Sequence, residues 1–186
     1  MLVTDNEKLA DRCKSIRNLC FQREKRYYHE ELSGNYRFTN LQAAVGLAQL
    51  ERLDEFVEKK RHIGKMYTDA LSGIDGLQLP LTKTDYADNI YWVYGIVLDE
   101  KIGIDNRKKQ KRLAEKEIET RTFFWCMHEQ PVLKNMGLFN NEIYHNAERL
   151  ARKGLYVPSG LALSDKQIYE VCEALKSCCF TLNEQA

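Results

Sequence analysis

The chain has 186 residues, with 28 Lys and Arg against 27 Asp and Glu, and 44% of it is hydrophobic. That length suits one domain, or a small domain joined to part of another, and the apolar fraction is enough to bury a core. The near-even charge excludes a broad basic surface for nucleic acid or anionic lipid, no apolar run is long enough to span a bilayer, and the opening MLVTDNEKLADR lacks the apolar stretch of a secretion signal.

In chain order, MLVT (1–4) is a short apolar run that reads as a strand or the tail of one. Asp5 or Asn6 then caps a helix in which Leu9, Cys13, Ile16 and Cys20 share a face. Residues 21–34 are polar and aromatic and read as a loop. Thr39, with Gln42 three residues on, forms a capping box. From there Leu41, Ala44, Val45, Ala48, Leu53, Phe56, Val57 and Ile63 keep helical spacing towards Leu71, before Gly73, Gly76 and Pro80. Gly46 and Gly64 lie inside this helix, each costing roughly 1 kcal/mol relative to Ala, and Gly46 is read as marking a close approach of another element.

After Pro80 the texture changes. IYWVYGIVLD (90–99) is rich in aromatic and β-branched residues and predicts a strand; IETRTFFW (118–125) predicts a second. Residues 105–117 predict a charged helix with Asp105 as its cap, and 140–154 a further helix with Gly154 at its C′ position. LYVPSG (155–160) is a short strand ending in a turn, and Ser164 caps the last helix. Strands alternating with helices after residue 88 predict an α/β layer. The six cysteines form no C-x-x-C pair and no zinc spacing with the histidines, so reduced thiols and a cytoplasmic location are expected.

Two stretches carry chemistry. Asn35, Tyr36 and Arg37 stand just before a helix whose N-terminus has unpaired N–H groups and partial positive charge, which makes an anion site. The local alternative has Asn35 turning the chain and Arg37 pairing with a surface acid. In TRTFFWCMHEQP (120–131), Arg121, Trp125 and His128 suit a pocket with aromatic walls and polar tips; the alternative is a buried strand that turns out through His128. RKKQKR (107–112) is followed by Leu113 and by the acids of AEKE, so it reads as a solvated helix face rather than a nucleic-acid patch. HEE (29–31) has no matching metal partners, and no metal site is expected. There is no phosphate-binding Gly-rich loop, no G-x-S-x-G and no H-E-x-x-H.

NYRFTNLQAAVGLAQLERLDEF (35–56) resembles the DegT/DnrJ/EryC1/StrS family of pyridoxal-phosphate (PLP) sugar aminotransferases. MLVTDNEKLADRCKSIRNL is similar to the end of that family's large domain. ETRTFFWCMHEQPVL and GLYVPSGLALSDKQIYEVCEAL are similar to its C-terminal domain, in the right order. TRTFFWCMH and YVPSG lie nearest the branch that aminates GDP-4-keto-6-deoxymannose to GDP-perosamine. The resemblance implies an α/β chain that is the C-terminal portion of a type I PLP aminotransferase fold. Residues 1–38 would be a remnant of the PLP-binding large domain with the active-site loop, 39–76 a long linking helix, and 77–186 a small C-terminal α/β domain. It also implies a homodimer with shared sites, glutamate as amine donor, a role in surface polysaccharide synthesis, and neither nucleic acid nor membrane as partner.

By the same resemblance, Asn35 binds the phosphate of the neighbouring subunit's PLP. Tyr36 and Arg37 line the shared site, and Phe124, Trp125 and His128 face the nucleotide-sugar. Three departures stand out. Gly34 replaces an aromatic residue, Thr122 and Cys126 replace prolines, and the catalytic lysine that bears PLP as a Schiff base falls at no position of this sequence. The chain alone is therefore expected to be inactive. The competing reading is a non-catalytic module for dimerisation or nucleotide-sugar binding.

Overall fold

A computed structural model describes residues 2–21, 24, 25, 27–99 and 106–180, leaving aside the side chains of 106, 107, 179 and 180. The chain forms two compact units, Met1–Leu53 and Asp54–Ala186.

The first unit holds α1 (Glu7–Arg17) and α2 (Asn40–Leu50). Asn6 caps α1, its Oδ1 accepting from Leu9 N at 3.1 Å. Thr39 caps α2 with the full reciprocal box: Gln42 N donates to Thr39 Oγ1 at 3.2 Å, and Thr39 N to Gln42 Oε1 at 2.9 Å. No residue of α2 is buried in the chain, although Leu41, Val45 and Leu50 give it an apolar side. The helix stops at Leu50 instead of running on. Glu51 and Arg52 form a turn, where Arg52 N bonds three residues back to Gln49 O, and α3 (Leu53–Leu71) starts afresh. Leu2–Thr4 carries no strand, having no neighbour to pair with among the described residues.

In the second unit, α3 presents Ile63, Tyr67 and Leu71 at four-residue spacing to the core. The strands are β1 (Leu77–Gln78), β2 (Tyr94–Leu98), β3 (Arg121–Thr122) and β4 (Gly154–Val157), and the helices are α4 (Asn106–Ala114), α5 (Pro131–Asn135), α6 (His145–Lys153) and α7 (Asp165–Phe180). The strands form one antiparallel sheet in the order β1-β2-β4-β3. Period-two alternation sends Tyr94, Ile96 and Leu98 of β2, with Leu155 and Val157 of β4, into the cluster that also holds Ile168, Val171, Cys172 and Leu175 of α7. Ser164 caps α7, accepting from Gln167 N at 3.3 Å.

Several predicted elements shift. The strand expected over 118–125 shrinks to two residues: β3 is an edge strand on β4, and after Phe123, whose N–H still donates to Gly154 O at 3.3 Å, Phe124 and Trp125 are exposed. The helix expected from 140 begins at His145. The predicted Asp105 cap lies outside the described residues. Gly154 is not a left-handed C′ residue: at φ −81° and ψ 140° it is extended and opens β4. Its lack of a side chain serves packing instead. A Cβ there would fall 2.3 Å from the Phe123 ring, and one at Gly95 would fall 2.8 Å from the same ring. Two bare backbones thus make a slot for Phe123, which stacks on Tyr156 at 4.4 Å. Gly46 faces open space, and the close approach is at Gly64, where a Cβ would lie 2.4 Å from the Tyr91 ring.

Candidate functional site

Asn35 turns the chain. Its Oδ1 accepts from Arg37 N at 3.2 Å, and its backbone bridges to Asn18. The Arg37 guanidinium donates to the Asn18 amide oxygen and makes no ion pair among the described residues, although Asp11, Glu24 and Glu30 line the same depression. Tyr36 is exposed, with its ring over Gly34: a Cβ at Gly34 would lie 3.0 Å from Tyr36 Cζ. The residue that departs from the resemblance therefore gives Tyr36 its resting place. The capping box has already consumed the Gln42 N–H. The open donors at this helix mouth are thus largely side chains, the Asn35 amide nitrogen and the Arg37 guanidinium, and both suit an anion.

In the Asp54–Ala186 unit the TRTFFWCMH segment divides. Phe123 is gripped in its slot, which leaves Phe124 and Trp125 exposed at 74% and 61%. Phe124 meets Tyr156 edge-on at 6.3 Å. His128 does not stand out in solvent. It is buried, with Nε2 at 3.0 Å from Glu148 Oε1 and its ring 4.9 Å from that of Tyr144. Glu148 Oε1 also accepts from Tyr144 N at 3.1 Å. That backbone N–H first, and then His128, hold the Glu148 carboxyl below its usual range. His128, Glu129 and Glu148 offer metal-type ligand atoms within 4.8 Å of one another. Arg152 already pairs with Glu129, however, and Glu148 is shared between Tyr144 and His128, so the set acts as a network tying the 3-10 turn Met127–Glu129 to the start of α6.

A depression of about 480 Å³ opens at the end of the sheet where β2 enters and β4 leaves, walled by Trp92, Phe124 and Tyr156 and edged by Thr120, Arg121 and Ser159. Lys60 of α3 donates to Trp92 O at 2.8 Å and to Ser159 O, and burial lowers its ammonium below the usual lysine range. Sequence reading found Arg121 but missed Trp92 and Lys60. Trp92 at the mouth of an aromatic strand was the available signal; nothing local marks Lys60.

The family model of the DegT/DnrJ/EryC1/StrS aminotransferases matches residues 1–176. The chain belongs to that family. GDP-perosamine synthase of Vibrio cholerae is 30% identical over 180 residues, an alignment covering 95% of this chain and 47% of that protein. DesV of S. venezuelae, solved in complex with a ketimine intermediate, superposes with a TM-score of 0.80 at 26% identity, covering 96% of this chain and 46% of DesV. The aminotransferase TlmJ from Streptoalloteichus hindustanus shares the fold, with a TM-score of 0.82 at 24% identity and coverage of 96% and 47%. The chain spans about half the length of the curated relatives it matches. Its α/β architecture is that of the C-terminal portion of these PLP sugar aminotransferases. PLP is the cofactor the DegT/DnrJ/EryC1/StrS family implies, and the Asn35 amide nitrogen, left open while its Oδ1 accepts from Arg37 N, is a donor of the kind its phosphate takes. No helix among the described residues is long and apolar enough to cross a membrane.

Proposed function

We propose that this chain forms part of a PLP-dependent aminotransferase that converts GDP-4-keto-6-deoxymannose to GDP-perosamine, with glutamate as amine donor, in the cytoplasmic stage of surface polysaccharide synthesis. The observation that carries the reading is the 30% identity to a GDP-perosamine synthase along nearly the whole of this chain. In this reading residues 1–38 bring the active-site loop, 39–76 link, and 77–186 wall the substrate. The exposed apolar side of α2 favours burial against another polypeptide surface, as a homodimer with shared sites requires.

Bound PLP supplies an electron sink that lets an amino group pass between glutamate and the keto carbon. The chain's own part is to bind and orient. The Asn35 amide nitrogen would donate to the phosphate of the cofactor held by the neighbouring subunit. Arg37, whose guanidinium makes no ion pair among the described residues, steers and holds anionic substrate groups beside it, with Tyr36 lining the same site. Phe124 and Trp125 offer exposed apolar faces to the nucleotide-sugar. His128 acts as a positioning residue: its bond to Glu148 fixes the 3-10 turn Met127–Glu129, one residue beyond Trp125.

In the complete enzyme, Asn35→Ala is expected to weaken PLP retention by about tenfold, the loss of one hydrogen bond to a charged acceptor. Arg37→Ala is expected to keep PLP and slow the half-reactions. Unchanged PLP affinity for the first variant, or unaltered kinetics for the second, would remove these roles. The 186-residue chain mixed with PLP and borohydride should gain no specifically labelled lysine; a single stoichiometric adduct would show that the chain carries its own cofactor lysine.

A further inference from the structure

We infer that Lys60 is a positioning residue for the nucleotide-sugar half-reaction: from one face of α3 it ties together the two loops that bring Trp92 and Ser159 to the depression where Phe124 also stands.

Lys60, Gly64 and Tyr67 follow one another at helical i, i+4 and i+3 steps, so they share a face of α3. That face holds both loops. The Lys60 ammonium donates to Trp92 O at 2.8 Å, in the loop before β2, and to Ser159 O, in the loop after β4. Gly64 takes the Tyr91 ring against its bare backbone, and Tyr67 Oη donates to Pro158 O at 2.7 Å. Lys60 is the member of the face that reaches both loops at once. An ammonium suits the task, because one atom carries three donors and no acceptor and so joins two carbonyl oxygens that would otherwise repel each other. Burial holds this ammonium below the usual lysine range, and no neighbouring charge offsets it. A partly buried charge without a counter-charge is a poor choice for stability alone; what it secures is the spacing of the two loops.

That spacing matters at the depression. Its walls are Trp92, Phe124 and Tyr156, with Ser159 at the edge. Tyr156 is fixed by the sheet and by its stack on Phe123. Trp92 is 69% exposed, so burial of its own ring does not place it, and the hold on its carbonyl does. Without the Lys60 donors the carbonyls of Trp92 and Ser159 lose their common partner, each loop moves independently of the other, and a ligand must order the wall as it binds. This role rests on the proposed aminotransferase reading, in which Phe124 faces the nucleotide-sugar; the glutamate half-reaction makes no demand on this wall.

The test measures the two half-reactions separately in the complete enzyme, one with glutamate and one with GDP-4-keto-6-deoxymannose, for wild type, Lys60→Met, Lys60→Arg and Tyr67→Phe, with a thermal melt of each. Lys60→Met keeps the apolar stem and removes the donors. It is expected to raise KM for the nucleotide-sugar about tenfold, with the saturating rate within about twofold of wild type and the glutamate half-reaction unchanged. Lys60→Arg, which keeps donors at the same place, should recover most of that loss. Tyr67→Phe loosens one loop only and should give a smaller rise of the same kind. A wild-type KM for the nucleotide-sugar in Lys60→Met overturns the inference, as does an equal loss in both half-reactions or a failure of Lys60→Arg to recover it. If Lys60→Met proves unfolded, Tyr67→Phe decides: a wild-type KM for the nucleotide-sugar overturns the inference. These results leave the proposed reaction standing, whereas a wild-type enzyme that does not aminate the GDP-linked sugar removes the reaction and this role together.

Discussion

Gly64→Ala should destabilise the Asp54–Ala186 unit, while Gly46→Ala, the same change within a helix, should not. Both glycines are helical, so alanine brings each an intrinsic gain of about 1 kcal/mol. At Gly46 nothing lies within 4 Å of the new methyl, and the gain stands. At Gly64 the methyl would sit 2.4 Å from ring carbons of Tyr91, where ordinary carbon contacts are about 3.5–4.0 Å. The ring has little room to retreat. Tyr91 is only 6% exposed, it stacks on Tyr94 at 5.8 Å, and Tyr94 stacks on Tyr67 at 4.8 Å. Overpacking of about 1–3 kcal/mol, with part of an aromatic pair lost, outweighs the helix gain and leaves a net loss of about 1–3 kcal/mol. Urea unfolding followed by tyrosine and tryptophan fluorescence measures it, with Gly46→Ala as the control. A Gly64→Ala protein as stable as wild type would mean that Tyr91 does not rest on α3.

Two further predictions concern local chemistry. Thr39→Ala removes the cap of a helix that buries none of its residues in the chain, so the first turn of α2 should lose about 1 kcal/mol, read as roughly fivefold faster amide exchange; unchanged protection would mean the cap contributes nothing. The Glu148 carboxyl is held low in the folded state by the Tyr144 N–H and by His128. Its contribution is therefore complete above the ordinary glutamate value of about 4.3 and is lost as pH falls through the lower folded value. Melting curves of wild type and Glu148→Gln should separate at neutral pH and converge in acid, and a difference that stays constant with pH would contradict this.

What the sequence made legible were features decided within one turn of chain. Asn6, Thr39 with Gln42, and Ser164 all cap as their spacing predicts, because a side chain and an N–H three residues on meet whatever surrounds them. Of the apolar positions spaced from Leu41 to Ile63, Ile63 alone is buried, and Tyr67 and Leu71 complete the core face of α3. Long-range placements were not legible. Gly64 is required by a ring 27 positions away in sequence (91 minus 64), and Gly95 and Gly154 by Phe123, which lies between them in the chain but crosses both strands in space. The strand predicted over 118–125 exceeds the observed one because β-propensity reflects a half-buried pleated surface, which Phe124 and Trp125 lack. At the candidate site, residue types pointed to Asn35, Arg37 and Arg121. Only the three-dimensional structure shows that Arg37 bonds to the Asn18 amide, that His128 is turned inward onto Glu148, and that Lys60 and Tyr67 cap the carbonyls of Trp92, Ser159 and Pro158.

The most direct measurement is the amination assay: the complete enzyme containing this chain, loaded with PLP and glutamate, is offered GDP-4-keto-6-deoxymannose and, in parallel, a dTDP-linked 4-keto-6-deoxysugar, and the products are weighed by mass spectrometry. The account predicts GDP-perosamine from the first and little from the second. Amination of the dTDP-linked sugar alone, or of neither, would contradict it.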